Sequence, residues 1–297
     1  MFEGNQRRST SVRCRRSATL FGVLLAGLGC TPSSSAHAAE DPERVLLELD
    51  TGNFASSTTI DHNFWPLTPG TQFVYEGFTN EDGVRTPHRI ETTVTDLSKD
   101  IGGVRALIIH ELDYVEDRLE EAELAFYAQD DDGNVWHLGE YTEVFSEIDY
   151  VGGRIWMVGS PDGARAGIMI PADPQVDAPS YSEGFAPPPY NWSDRGRISQ
   201  TGEQTTVAAG SYEGIVVVEE YNNEEPGAVQ LKYYAPGVGV VRIGWGGEDA
   251  LQEEMELIEH NQLDADGLEA IRRQALEMEV RGYSYSLTPP LEQVSVQ

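Results

Sequence analysis

The chain has 297 residues, and its 50 acidic residues against 20 basic ones give a formal net charge of −30. A surface this negative repels phosphate groups, which excludes nucleic acid and anionic membrane surfaces as favourable partners. The two cysteines, Cys14 and Cys30, both precede the region predicted to fold. The folded region therefore lacks the thiols needed for a disulfide framework, a cysteine zinc site or a cysteine nucleophile.

The first 38 residues have the pattern of a signal peptide and linker. An arginine-rich start is followed by an uncharged stretch at residues 18–29, which is too short for a membrane-spanning helix of about 20 residues but fits the apolar part of a signal peptide. Residues 36–38 match an ordinary cleavage site, whereas Cys30 resembles the lipidation site of a lipoprotein. We predict export to the periplasm, the outer membrane or the medium, and a lipid on Cys30 is the one predicted link to a membrane.

Residues 55–260 have the pattern of one antiparallel β domain. Short stretches alternate between apolar and polar residues, and clusters of Gly, Asp and Asn separate them, as in half-buried strands joined by turns. The predicted strands lie at residues 73–78, 89–94, 104–110, 124–128, 135–138, 214–219, 231–234, 238–243 and 254–258. The fold class that follows is mainly β, with a curved antiparallel sheet or half-barrel.

The segment at residues 161–194 breaks this pattern because it is rich in proline, which cannot donate to a strand ladder. We predict a long ordered loop that lies over the sheet. Four aromatic residues are spaced along it: Tyr181, Phe185, Tyr190 and Trp192. Their rings either line a ligand-binding groove or complete the domain's own core.

A single helix is predicted at residues 264–281, within a C-terminal helix and tail that spans 261–297. Asp266 is the expected N-cap, because Glu269 follows three residues later. Four apolar residues form one stripe that would pack on the sheet: Leu268, Ile271, Ala275 and Met278.

The acidic turn at residues 130–134 contains the candidate calcium ligands Asp130, Asp132 and Asn134. Calcium prefers six to eight oxygen ligands, and no acidic residue follows at the spacing of a complete calcium-binding loop. A hairpin turn that supplies no essential metal site is therefore the favoured interpretation. The sequence also lacks the usual zinc, nucleotide and serine-hydrolase motifs, so no cofactor is predicted.

Two cross-strand pairs could carry acid–base chemistry. If strands at 88–97 and 104–113 pair around a turn at 100–101, Glu91 lies opposite His110 and His88 opposite Asp113. The two pairs would face opposite sides of the sheet, and charge pairing on an exposed face is the simpler interpretation.

Several motifs resemble those of a family of uncharacterised secreted bacterial proteins. They are N-x-x-P-L-x-P-G-T at residues 63–71, Y-A-Q-D-x-x-G-N-V-W at 127–136 and Y-Y-A-P-G-V-G at 233–239. That family implies export but no activity. The last motif is also similar to the final strands of periplasmic lipoprotein-carrier proteins, whose half-barrels hold apolar ligands.

These features favour an exported, non-catalytic binding protein that holds an apolar or carbohydrate-like ligand under the 161–194 loop. The alternative is a secreted hydrolase or lyase that uses carboxylates such as Glu91, Glu111 or Glu140 together with His110. A third class is a surface interaction module stabilised by calcium.

Overall fold

A computed structural model describes residues 46–146, 150–188, 190–283 and 291–294. The predicted signal peptide and Cys30 lie outside these residues. The strands that it contains are β1 (Thr71–Glu81), β2 (Val84–Ile101), β3 (Val104–Val115), β4 (Arg118–Gln129), β5 (Val135–Phe145), β6 (Tyr150–Met157), β7 (Arg165–Ile170), β8 (Tyr181–Ser182), β9 (Gly184–Phe185), β10 (Arg195–Val207), β11 (Gly210–Tyr221), β12 (Ala228–Ala235), β13 (Gly239–Gly247), β14 (Glu254–Gln262) and β15 (Glu292–Gln293). The predicted class, mainly β with a curved antiparallel sheet, is confirmed.

The strands form one sheet in the order β8-β10-β11-β12-β13-β14-β1-β2-β3-β4-β5-β7-β9, with β6 added beside β5 and β15 beside β2. Side chains from both ends of this order meet in one apolar cluster, for example Ile170 of β7 and Ile198 of β10. Distant strands of one sheet can share a cluster only if the sheet curls around it. We call the side of the sheet that bears this cluster the inner face.

The two ends of the sheet meet at residues 181–185, which we call the seam. Its first half, β8, pairs with β10, and its second half, β9, pairs with β7. Glu183 lies between the two halves, and its N–H donates to the carbonyl oxygen of Asp194 at 2.9 Å. The seam therefore links β7 to β10, which do not pair directly.

The outer face carries a second apolar cluster, on which the C-terminal helix α1 (Ala265–Gly282) packs through Ala275 and Met278. The N-cap is two residues earlier than predicted: it is Asp264, whose Oδ1 accepts from the Gly267 N–H at 2.8 Å. Asp266 lies instead in the first turn. Near the C-terminal end of the helix, Glu279 forms a largely buried ion pair with Lys99 of β2, in which Nζ and Oε1 lie 2.7 Å apart.

The predicted loop at 161–194 is wrong over β7. Residues 167–170 pair with β5, because no proline lies between Pro161 and Pro171 and the stretch before Pro171 is an uninterrupted apolar run. In the described remainder of the segment, the strands are the short ones of the seam. No helix in the described part of the chain is long and apolar enough to span a membrane.

Candidate functional site

A groove of about 650 Å³ lies where residues 178–181 pass beside β10 and β11. Its size is typical of sites for small molecules. The lining residues are Leu47, Ala178, Pro179, Ser180, Tyr181, Arg197 and Tyr221. The groove thus combines two tyrosine rings with a guanidinium and a hydroxyl group.

The polar lining of the groove is held by neighbouring charges. Arg195 binds Ser180 twice, from Nη2 to the carbonyl oxygen at 2.8 Å and from Nε to Oγ at 3.2 Å. The guanidinium of Arg197 pairs with Glu219 and lies 5.9 Å from the centre of the Tyr221 ring. These contacts hold the hydroxyl of Ser180 and the guanidinium of Arg197 in place beside the Tyr221 ring.

Tyr181 separates this groove from the interior of the sheet. Its ring packs against both apolar clusters and lies against Gly196, where an added Cβ atom would come within 2.5 Å of it. Burial raises the pKa of Tyr181 well above its ordinary value, and the nearby carboxyl groups of Glu183 and Glu220 raise it further. Tyr181 therefore lines the groove and also lies close to buried carboxyl groups on its other side.

Behind Tyr181, the polar end of the interior contains a set of buried acids that we call the inner carboxyl layer. Its members lie on the inner face or on the chain at 183–194, and each is at most 6% exposed: Glu111, Asp113, Glu121, Glu123, Glu140, Glu183, Asp194 and Glu220. Fewer basic groups accompany them, namely His88, Arg154, Arg195 and Lys232. His137 also lies there, but burial lowers its pKa to about 3, so it adds no positive charge at neutral pH.

The part of this layer next to the groove is built around Glu183. Its side chain is fully buried, and neither carboxylate oxygen has a hydrogen-bond partner among the described residues. Lys232 is fully buried too, but its Nζ pairs with Oε2 of Glu220 at 2.5 Å. Burial raises the pKa of Glu183 well above the ordinary range, with a further rise from Glu220 and Asp194 that Lys232 and Arg195 oppose.

The part of the layer farther from the groove combines three glutamates with one arginine. The Nη2 atom of Arg154 lies 3.7 Å from Oε2 of Glu121, and burial raises the pKa of that carboxyl group to about 8. The Tyr190 hydroxyl donates to Glu140, and the Thr142 hydroxyl donates to Glu123 at 3.2 Å. Burial raises the pKa of both Glu123 and Glu140, so these groups favour the protonated form.

The four predicted loop aromatics divide between three places. Tyr181 lines the groove, whereas Phe185 lies half-buried in β9. Trp192 is only 3% exposed and stacks on Trp156, with ring centres 5.9 Å apart. Tyr190 is half-buried beside the same cluster. The sequence therefore predicted one groove residue, and ligand contact by the other three stays a prediction.

The acidic turn at 130–134 uses its side chains to hold the chain together. Asp130 accepts hydrogen bonds from the backbone and side chain of Asn134 and from the Trp136 ring, each at 2.8 Å. The side chain of Asp132 accepts from Asn53 at 2.9 Å. Among the described residues, no three His, Cys, Asp or Glu side chains form a group that could hold a metal ion.

The predicted register of β2 and β3 is wrong by two residues. The turn occurs at Gly102 and Gly103, and an irregularity between Val94 and Ser98 shifts the pairing, so Glu91 lies opposite Leu112. His110 is buried on the outer face, where burial lowers its pKa to about 4. The proposed set of Glu91, Glu111 and Glu140 with His110 is therefore split between the two faces.

His88 does contact Asp113, although the two are not directly opposite. Its Nε2 lies 2.6 Å from Asp113 Oδ1, and its Nδ1 lies 2.6 Å from Glu253 Oε1. All three side chains are buried. Burial alone would lower the pKa of His88, but the two carboxylates raise it well above 6.5. We call this arrangement the histidine clamp.

Sequence reasoning missed Glu183, Asp194, Glu220 and Lys232. The sequence did contain a signal for Glu220, because Glu220 continues the alternation of the buried residues Val216 and Val218 along β11. An acid that continues an apolar alternation belongs to the same face as the apolar residues. Acids in strands were instead assigned to an exposed face.

Two solved structures resemble the chain at low similarity. One is a protein described as exported, with a YmcC-like fold, from Bacteroides fragilis, with 14% identity and a TM-score of 0.41. The other is a protein described as a lipoprotein from Parabacteroides distasonis, with 13% identity and a TM-score of 0.39. Each comparison covers 67% of this chain and 99% of the other. Similarity at this level supports no conclusion about function.

No protein-family model and no curated protein matches the chain. The resemblance of its motifs to a family of secreted proteins therefore stays a prediction.

Proposed function

We propose that this protein is exported and binds a small carbohydrate-like ligand in the groove beside Tyr181. The observation that carries the proposal is the lining of the groove, in which the rings of Tyr181 and Tyr221 accompany Arg197 and Ser180. Aromatic rings stack on the apolar faces of sugars, while a guanidinium and a hydroxyl group bind sugar hydroxyls. A purely apolar ligand would use the rings but make no hydrogen bond to the guanidinium and the hydroxyl group of the lining.

A titration of soluble oligosaccharides into the purified domain tests this proposal. The probes are cello-, malto- and chito-oligosaccharides of equal length, measured by isothermal titration calorimetry. Tyr221→Ala removes a stacking surface, and we expect affinity to fall about tenfold, which corresponds to about 1.4 kcal/mol. Tyr212→Ala is the matched control, because Tyr212 lies on the same strand but does not line the groove. Equal effects of both variants would contradict the proposal.

Export rests on the N-terminal sequence and has its own test. Expression of the full chain in a Gram-negative host, followed by fractionation, should place the protein outside the cytoplasm. Labelled palmitate distinguishes the two processing routes. A label that Cys30→Ala abolishes indicates a lipoprotein, and an unlabelled exported product indicates ordinary cleavage.

The second candidate, a carboxylate-dependent hydrolase or lyase, is supported by the environment of Glu140. A carboxyl group with a raised pKa can act as a general acid at neutral pH, and the hydroxyl of Tyr190 donates to Glu140. Incubation with the same oligosaccharides and measurement of reducing ends would detect hydrolysis. Activity that Glu140→Gln removes would replace the binding proposal with the enzymatic one.

A further inference from the structure

The charges beside the groove do not balance. Three buried acids, Glu183, Asp194 and Glu220, face two basic groups, Lys232 and Arg195. Lys232 forms an ion pair with Glu220, with Nζ and Oε2 2.5 Å apart. Two nitrogens of Arg195 donate hydrogen bonds to Ser180. The carboxylate of Glu183 has neither a hydrogen bond nor an ion pair among the described residues.

A buried carboxylate without a partner costs several kcal/mol, so the group either takes up a proton or receives a cation. Burial and the charges of Glu220 and Asp194 raise the pKa of Glu183, which favours its protonated form. An ammonium group supplies both a positive charge and three hydrogen-bond donors. A neutral hydroxyl group supplies only one donor, and it would leave Glu183 in the protonated form.

Glu183 also lies close to Tyr181, which lines the groove. The Tyr181 ring and the Oε1 atom of Glu183 both lie against Gly196, where an added Cβ atom would come within 2.5 Å of the ring and 2.6 Å of the oxygen. The Tyr181 hydroxyl reaches the carbonyl oxygen of Met169 only at 3.5 Å, the outer limit of a hydrogen bond. An ammonium group in the groove can reach Glu183 only if this ring turns aside.

We propose that the ligand carries an ammonium group, that this group binds the carboxylate of Glu183 behind Tyr181, and that the ligand is therefore an amino sugar. This inference rests on the proposed function and narrows its ligand class. Binding converts a protonated Glu183 to the carboxylate, so about one proton leaves the site for each ligand bound. The charge of the complex then balances without any change in Lys232 or Arg195.

The test compares three oligosaccharides of the same length and β-1,4 linkage, built from glucosamine, N-acetylglucosamine or glucose. At mildly acidic pH, where the amine is charged, we expect the glucosamine oligomer to bind at least about tenfold more tightly than the other two. Calorimetry in buffers of different ionisation enthalpy should show the release of about one proton with this probe alone. That measurement uses the unmodified protein and does not depend on whether a variant folds.

Glu183→Gln should remove the preference for the amine and the proton release, while weak binding of the glucose oligomer persists. Glu213→Gln, an exposed acid on β11, is the matched control and should change neither. Equal affinity for the three oligomers would overturn the inference and leave the proposed function intact. If the preference for the amine survives in Glu183→Gln, or if high salt abolishes it, the preference comes from general surface charge and the inference is wrong. Failure of all three to bind would overturn both proposals.

Discussion

The two ends of the sheet interior differ in composition although the same strands build both. On β4, Ala125 and Tyr127 face the apolar end, whereas Glu121 and Glu123 face the other. The apolar end stabilises the fold by removing apolar surface from water. The polar end opposes folding, because several of its buried acids have incomplete hydrogen bonding. A region that lowers stability is the more informative place to search for function.

The largest loss of stability is expected when a large side chain is removed from the apolar end. Trp65 is fully buried, and its ring meets Tyr127 edge-on with centres 4.8 Å apart. Trp65→Ala should lower the free energy of unfolding by about 3–5 kcal/mol, because it leaves a cavity. The melting temperature should fall by roughly 10 °C. Trp245→Ala, at a half-buried position on β13, is the control. An equal loss there would contradict the assignment of Trp65 to the stabilising end.

The histidine clamp is the one part of the polar end that we expect to stabilise the fold. His88→Ala leaves Asp113 and Glu253 buried without their shared cation, which should cost about 3 kcal/mol near pH 6. Because the folded pKa of His88 is raised, its contribution is fully present below the unfolded value of about 6.5 and is lost as pH rises through the folded value.

Chemical denaturation at several pH values measures this cost, which should shrink at alkaline pH. His260→Ala is a suitable control, since His260 is exposed and stacks on Phe73. A cost for His88→Ala that does not change with pH would show that packing, and not charge, holds the clamp.

The acidic turn at 130–134 lies outside both ends of the interior. The side chains of its acids have hydrogen-bond partners, unlike several acids of the polar end. Asp130→Ala removes three hydrogen bonds at 2.8 Å and should cost about 2 kcal/mol. Added calcium should not change the melting temperature of the unmodified protein. A calcium-dependent rise that Asp130→Ala and Asp132→Ala together abolish would establish the metal site instead.

The sequence predicted the features that depend on local pattern. Alternation and turn residues placed most of the strands, and the apolar stripe with Ala275 and Met278 placed the helix against the sheet. The register of β2 and β3 could not be predicted from alternation, because the turn occurs at Gly102 and Gly103 and not at residues 100–101, and an irregularity between Val94 and Ser98 then shifts the pairing back by two residues. Local alternation continues through such an irregularity without a visible signal.

The candidate site was harder to predict because its residues come together only when the sheet curls. Tyr181 was found from its place in a proline-rich loop, but Glu183 in the seam and Lys232 on β12 come close only in the folded sheet. Unless an acid continues an apolar alternation, as Glu220 does, its sequence pattern is the same whether it faces water or another acid. Tertiary burial, which decides between the two, is not encoded in a window of a few residues.

The last expected effect has the opposite sign, and it tests directly whether the polar end opposes folding. The pKa of Glu121 is raised to about 8, so the folded state binds a proton that the unfolded state releases near pH 4. Stability should therefore fall as pH rises from about 4 to 8, by up to about 1.4 kcal/mol for each pH unit. Glu121→Gln keeps the shape but never takes a negative charge, so at pH near 8 it should melt several degrees higher than the unmodified protein. Near pH 4 or below the two should melt nearly together, since Glu121 is then largely protonated in both the folded and the unfolded state. Glu120→Gln, at the neighbouring position, whose side chain is 23% exposed, is the control. If Glu121→Gln instead lowers the melting temperature at both pH values, the carboxylate and Arg154 form a stabilising pair, and the polar end supports the fold as the apolar end does.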